Sequence, residues 1–315
     1  MEVSRILIVR LGAMGDILHA MPAVASLKAA FPQASIAWAV HPKWRDLLEG
    51  GGLADEIIFV DRRSYSSVRA AASALRREPF AFAVDLQGLT QSALIATLAR
   101  TRRVYGFRVT QVREKAASLL YSDPVETHST HVVDMNLEIA AAAGASNLVI
   151  EFPLPPGRAE GTLPSGPFVL ASPFAGWTSK QWPLENYAVL ARRLRHELGA
   201  PLVLNGAPPH EAALRTVSSA EVHISSVAGL IDATRRAAAI LGVDSGPLHL
   251  GAALRRPGVG LFGPTDPARN GPYSSTFTVI RAPGAQTTYN RGEEIHPSMR
   301  AIGPDQVFTA LSSRL

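Results

Sequence analysis

Val243-Asp244-Ser245-Gly246-Pro247-Leu248-His249 decides the fold class of this chain. An apolar run, residues 237–243, leads into the polar turn Asp244-Ser245-Gly246. Pro247 follows, then Leu248, Leu250, Ala252, Ala253 and Leu254 at helical spacing. The pattern predicts a strand, a tight turn and a helix. Proline suits a first helical position, where its missing N–H would have no partner anyway. Ser245 or Asp244 can cap that helix, and Gly246 lets a ligand approach the backbone. The free N–H groups and the positive end of the helix dipole would then attract an anion such as a phosphate. An ordinary capped helix explains the same residues, so the stretch alone fixes a β-turn-α unit and no ligand.

The same order recurs upstream. Residues 5–10 (R-I-L-I-V-R) read as a buried strand. Residues 11–16 read as a turn, and a helix runs to Phe31-Pro32. Gly12-x-x-Gly15 lacks the G-x-G-x-x-G spacing of a dinucleotide site. Asp16 at the helix start serves equally as a cap or as a general base at the carboxyl edge of a parallel sheet. Further strands are expected at 35–40, 56–60 and 80–85, with helices at 42–49, 65–77 and up to 98. Arg62 and Arg63 follow the third strand. Residues 100–115 carry Arg100, Arg102, Arg103, Arg108, Arg113 and Lys115 against Glu114 alone. They read as a basic loop. A solvated surface is the ordinary fate of such a cluster. Two clusters following strands of one sheet favour an anionic acceptor. His131, near the start of a helix within 128–144, suits a cap or a packing position.

Residues 152–167 are rich in Pro and Gly and hold no periodic apolar pattern, so the domain boundary falls there, between 1–155 and 156–315. The second half restarts with strands at 168–171 and 201–205 and a helix at 185–198. Thr178, Ser179 and Lys180 offer two hydroxyls and a cation, a phosphate cradle or simply a polar loop. Glu211 fits the helix dipole or a ribose diol. Residues 257–262 form the last clear strand, 283–300 look irregular, and 305–315 form a final helix, a candidate to pack back on the first domain. Alternating β and α units imply two parallel sheets, with ligands in a cleft between the domains.

Composition narrows the classes. With 315 residues, 47% of them hydrophobic, the chain can build two cores. No Cys excludes disulfides, cysteine nucleophiles and thiolate metal sites, and fits a reducing cytoplasm. No apolar run reaches 18 residues, and the N-terminus reads as a strand, not a signal peptide. A net charge of +5 suggests acidic partners. The charge is spread without aromatic interleaving, which argues against nucleic acid.

Several stretches, in this order, resemble the ADP-heptose:lipopolysaccharide heptosyltransferases, a family of GT-B glycosyltransferases. They are residues 14–22 (M-G-D-I-L-H-A-M-P), 85–89 (D-L-Q-G-L), 177–183 (W-T-S-K-Q-W-P), 206–208 (G-A-P), 243–249 and 263–267 (G-P-T-D-P). Residues 113–121 look most like the heptosyltransferase I branch, which adds the first heptose to Kdo. The chain departs from the pattern at Pro247, where Leu is usual, and in its Phe174–Trp177 lead.

The resemblance implies an α/β GT-B fold: two Rossmann-like domains facing a central cleft, the first for the acceptor, the second for the nucleotide sugar. It implies an inverting transfer with ADP-heptose as co-substrate. Asp16 matches the general base. Thr178, Ser179 and Lys180, with Asp244, Ser245, Gly246, Pro247, Leu248 and His249, match the donor-binding stretch, and Glu211 the ribose acid. Arg62, Arg63, Arg113 and His131 match the acceptor side, which would meet Kdo-lipid A or the lipopolysaccharide core. No Asp-x-Asp occurs, so no metal cofactor is expected: Lys180 and helix-end N–H groups take its place. A cytoplasmic location with peripheral contact to the inner membrane follows from such an acceptor. The competing expectations are a GT-B enzyme with another sugar or acceptor, and a nucleotide-binding protein without catalysis. A dinucleotide oxidoreductase is disfavoured by the missing glycine pattern.

Overall fold

The computed structural model describes residues 3–288 and 290–315. The chain divides into two compact units, Met1–Pro155 and Pro156–Leu315. The first is built on six parallel strands: β1 (Arg5–Val9), β2 (Ser35–Val40), β3 (Glu56–Phe59), β4 (Phe82–Asp85), β5 (Val104–Phe107) and β6 (Asp123–Val125). Their order is β3-β2-β1-β4-β5-β6. All of β1 is buried, as a strand covered on both faces must be. Helices α1 (Met14–Ala30) and α5 (Val132–Ala142) pack together, while α2 (Tyr65–Arg77) meets α3 (Thr90–Leu98), which meets α4 (Lys115–Ser118). Right-handed crossovers explain the two groupings, α1 on one face of the sheet and α2–α4 on the other.

The second unit repeats the plan with β7 (Val169–Ser172), β8 (Leu202–Gly206), β9 (Glu221–Ile224), β10 (Ala239–Val243), β11 (Gly258–Phe262) and β12 (Phe277–Arg281), ordered β12-β11-β10-β7-β8-β9. Its helices are α6 (Leu184–Leu198), the short α7 (Glu211–Leu214), α8 (Val227–Arg236), α9 (Gly246–Ala253), α10 (Pro267–Asn270), α11 (Pro297–Arg300) and α12 (Pro304–Ser312). The core joins Trp182, Tyr187, Leu190 and Leu194 to Leu241, Val243 and Leu261. At Gly242 any Cβ would lie 2.9 Å from that of Leu248, so this glycine sets how closely α9 approaches β10.

Two readings of the sequence change. Residues 100–115 are not one loop: β5 lies inside them, fully buried, a four-residue apolar run masked by flanking arginines. The edge strands β6 and β12 leave no clear apolar run in the sequence, because one is three residues long and the other is partly solvated. The final helix belongs to the second unit. Val307, Phe308 and Leu311 sit in the second unit's core, and α12 packs on α6 and β11.

In each sheet the chain starts centrally, runs outward, then returns to the other side of its first strand. The switch falls between β1 and β4 in the first unit and between β7 and β10 in the second. Ligands of open parallel sheets bind at the carboxyl ends of strands at such points.

Candidate active site

Asp16 stands at the first switch. It is the third residue of α1, not the cap. Its Oδ2 accepts the Ala13 N–H at 3.0 Å, and its Oδ1 pairs with the Arg10 guanidinium at 2.7 Å. The carboxylate is 41% exposed, while Arg10 is buried and also donates to the Leu86 carbonyl. The neighbouring Leu11 N–H donates to Gln87 Oε1 at 2.7 Å. The turn after β4 therefore grips the turn after β1.

Asp85 builds that turn. Its Oδ1 accepts the N–H groups of Gln87 and Gly88 at 2.8 and 3.3 Å. Its Oδ2 accepts the hydroxyls of Ser92 and Tyr121, both at 2.7 Å. Burial pushes the Asp85 carboxyl above its ordinary range despite these donors, and burial also raises the Tyr121 hydroxyl, with Asp85 adding to the shift. Gly88 has φ +69 and accepts the Glu114 N–H at 3.1 Å, while Glu114 Oε2 accepts the Thr90 N–H at 2.8 Å. Exposed Arg113 is thus anchored beside the same turn. His131 caps α5 by accepting the Val133 N–H at 3.2 Å, and its ring meets His19 edge-on at 5.7 Å. His19 lies one turn along α1 from Asp16. Arg62 and Arg63 are exposed in the turn after β3, on the far side of β2, and touch none of these groups.

At the second switch, Lys180 Nζ lies 2.6 Å from Asp244 Oδ2, and His249 Nε2 lies 3.5 Å from Asp244 Oδ1. Lys180 is 15% exposed and Asp244 6%. Burial pushes the Asp244 carboxyl up, but the His249 hydrogen bond and the Lys180 charge outweigh it and hold it at about 2. Asp244 is therefore an ion-pair residue and not the cap of α9. Ser245 takes the cap position with its hydroxyl unbonded, and Pro247 is the second helical residue rather than the first. Ser179 Oγ and Thr265 Oγ1 are likewise buried without a partner among the described residues, so β7, β10 and β11 are each followed by an unsatisfied hydroxyl. Buried polar groups are normally bonded, and these three hydroxyls have the capacity to bond ligand oxygens. Thr178 opens a short 3-10 turn through Lys180. Glu211 pairs with Arg215 at 2.7 Å, and next to it His210 stacks on Phe174 at 4.4 Å.

The irregular segment after β12 lies against this site. The Thr288 N–H donates to the Pro264 carbonyl at 2.7 Å, and the His296 N–H to the Ser179 carbonyl at 3.2 Å. Trp177 has Lys180 Nζ 4.3 Å and Arg291 Cζ 5.1 Å from its ring centre. Sequence reading missed Arg10 and Arg291, and held Thr265 only as part of the 263–267 motif without a role. Arg10 left a signal, a cation flush with the end of an otherwise apolar strand. Arg291 left none, since its contact depends on the fold of a segment without periodicity.

Among the described residues no group of three or more His, Asp or Glu could hold a metal ion, and no helix is long and apolar enough to cross a membrane. The model for glycosyltransferase family 9 (heptosyltransferase) matches residues 68–296. The chain belongs to this family. The match takes in Asp85, Arg113, His131 and the whole second-unit cluster, while Asp16, Arg62 and Arg63 precede it. Lipopolysaccharide heptosyltransferase 1 of Escherichia coli K12 is 27% identical over 309 residues, covering 89% of this chain and 94% of that protein. The Pseudomonas aeruginosa protein of the same name is 26% identical, covering 85% and 81%. Among solved structures, E. coli heptosyltransferase WaaC with ADP superposes with a TM-score of 0.81 at 25% identity, covering 99% of this chain and all of that one. The family 9 member described here is therefore a glycosyltransferase with the GT-B fold, as its motifs imply.

Proposed function

We propose that the enzyme moves heptose from ADP-heptose to the Kdo region of the lipopolysaccharide inner core, with inversion and without a metal. One observation carries this reading: each sheet offers a different half of the chemistry at its own switch point. The first offers a partly exposed carboxylate, the second a half-buried cation near unpaired hydroxyls and the start of a helix. Asp16 takes the proton of an acceptor hydroxyl, whose oxygen bonds to the anomeric carbon. The bond from that carbon to the diphosphate breaks, and ADP leaves. Lys180, the hydroxyls of Thr178, Ser179 and Ser245, and the Gly246 N–H at the start of α9 take up its charge. Glu211 exchanges Arg215 for the ribose diol. Arg62, Arg63, Arg113 and His131 meet the acceptor's carboxylates and phosphates.

A mass-resolved assay with ADP-heptose and heptose-free Kdo-lipid A tests this. The acceptor should gain one heptose as one ADP appears, at a rate EDTA leaves unchanged, with the new linkage of opposite anomeric configuration. ADP binding without transfer, or transfer only from another nucleotide sugar, would overturn it. Lys180→Ala should weaken ADP binding by about 10- to 100-fold, the worth of a charged hydrogen bond, measured by calorimetry. Unchanged affinity would remove Lys180 from the donor site.

The acceptor is a lipid, and the charge distribution supports docking at the cytoplasmic face of the inner membrane. Residues 62–115 hold eleven Arg or Lys against Glu78, Asp85 and Glu114, in a chain whose net charge is only +5. Tyr65 and Leu119, 83% and 84% exposed, lie in and just beyond that stretch. Binding to vesicles containing phosphatidylglycerol, but not to phosphatidylcholine alone, is expected, and it should fall with salt.

A further inference from the structure

The Arg10–Asp16 pair has an unusual division of exposure. The carboxylate reaches solvent; its cationic partner does not. Arg10 cannot follow the carboxylate, because its guanidinium is tied at the same time to the Leu86 carbonyl. That carbonyl belongs to the turn which buried Asp85 organises with four accepted hydrogen bonds and which grips Leu11 through Gln87. One oxygen of Asp16 is thus fixed by a rigid cation and the other by the Ala13 N–H. The carboxylate is held at two points, with its remaining lone pairs toward solvent, where an acceptor hydroxyl would arrive.

We propose that Arg10 is the positioning residue of the base: it carries the rigidity of the Asp85 turn to Asp16 and fixes the direction in which the carboxylate accepts a proton. This rests on the reading of Asp16 as the base. A positioned base works because its geometry is set before the substrate arrives, and small misplacements are costly. The planar guanidinium is suited to the task, since it reaches two acceptors at once from one buried stem. A lysine ammonium at the same position cannot hold both with the same fixed geometry. The same turn anchors the loop of Arg113 through Gly88 and Glu114, so the base and one acceptor arginine take their placement from one source.

The test compares Arg10→Met, Arg10→Lys, Asp16→Asn and the double variant Arg10→Met/Asp16→Asn in the transfer assay. Arg10→Met should lose about 100-fold in kcat, with KM for ADP-heptose and the affinity for ADP unchanged, because the donor residues lie on the other unit. Arg10→Lys should recover part of that loss. The double variant should be no slower than Asp16→Asn alone, since Arg10 acts only through the carboxylate. An additive loss in the double variant, or wild-type kcat in Arg10→Lys, would overturn the proposal. If Arg10→Met does not fold, the lysine variant still decides. Full turnover by Asp16→Asn would instead remove the base reading itself.

Discussion

Asp16→Asn lowers kcat by about 100- to 10,000-fold, the range that a lost general base accounts for, and leaves ADP binding intact. The asparagine keeps an oxygen for the Ala13 N–H, so α1 retains its first-turn bond. The capacity to take a proton goes, and with it the ion pair to buried Arg10, so the fold of the variant is checked by its melting temperature alongside kcat. Alanine at this position would also remove the bond to Ala13 and cost about 1 kcal/mol of stability, which makes asparagine the cleaner probe. The proposed ADP site is undisturbed, because Lys180, Asp244 and the start of α9 belong to the second unit. The decisive measurement pairs calorimetric ADP titration with single-turnover transfer. Near-wild-type turnover would move the base elsewhere, and His131, edge-on to His19 one turn along α1 from Asp16, would be the next residue to test.

How far the sequence spoke can be seen at these two switch points. The strand–turn–helix units around Asp16 and Asp244 were legible because buried parallel strands are short apolar runs and their helices begin at recognisable turns. Tyr65–Arg77 was read to the residue, its Ser64 cap being a local signal. What the sequence hid was tertiary. Asp244 reads as a cap, since Asp in a turn before a helix is the commonest explanation. Only the fold brings Lys180, from a different strand end, within 2.6 Å and converts the cap into an ion pair. Arg10 reads as the last residue of a strand, and its partner at Leu86 is 76 positions away. The orphaned hydroxyls of Ser179, Ser245 and Thr265 are defined by what does not bond to them, which no local pattern can encode. Strand β5 was lost for the opposite reason: a local signal, dense positive charge, outweighed four apolar residues.

Asp244→Asn should cost about 2–3 kcal/mol of stability at neutral pH, the penalty for leaving a half-buried cation without its counter-charge. Lys180 has no second carboxylate at salt-bridge distance among the described residues, and its Nζ would face the amide and the Trp177 ring alone. The effect should also appear as a pH dependence in the unmodified enzyme. The folded-state carboxyl is held at about 2, below its ordinary 3.8, so the unfolded chain binds the proton more readily. Its contribution is therefore fully present above pH 4 and fades as the pH falls from about 4 toward 2. Its size is about 2 kcal/mol, from 1.36 kcal/mol per pH unit. Urea denaturation across this range should show that loss in the wild type and not in Asp244→Asn. ADP should restore part of the variant's melting temperature, because a bound diphosphate supplies Lys180 with the missing negative charge and stabilises only the folded state. A variant as stable as wild type, with the same acid dependence, would mean that the pair contributes nothing net. The case for a donor site would then rest on the unpaired hydroxyls alone.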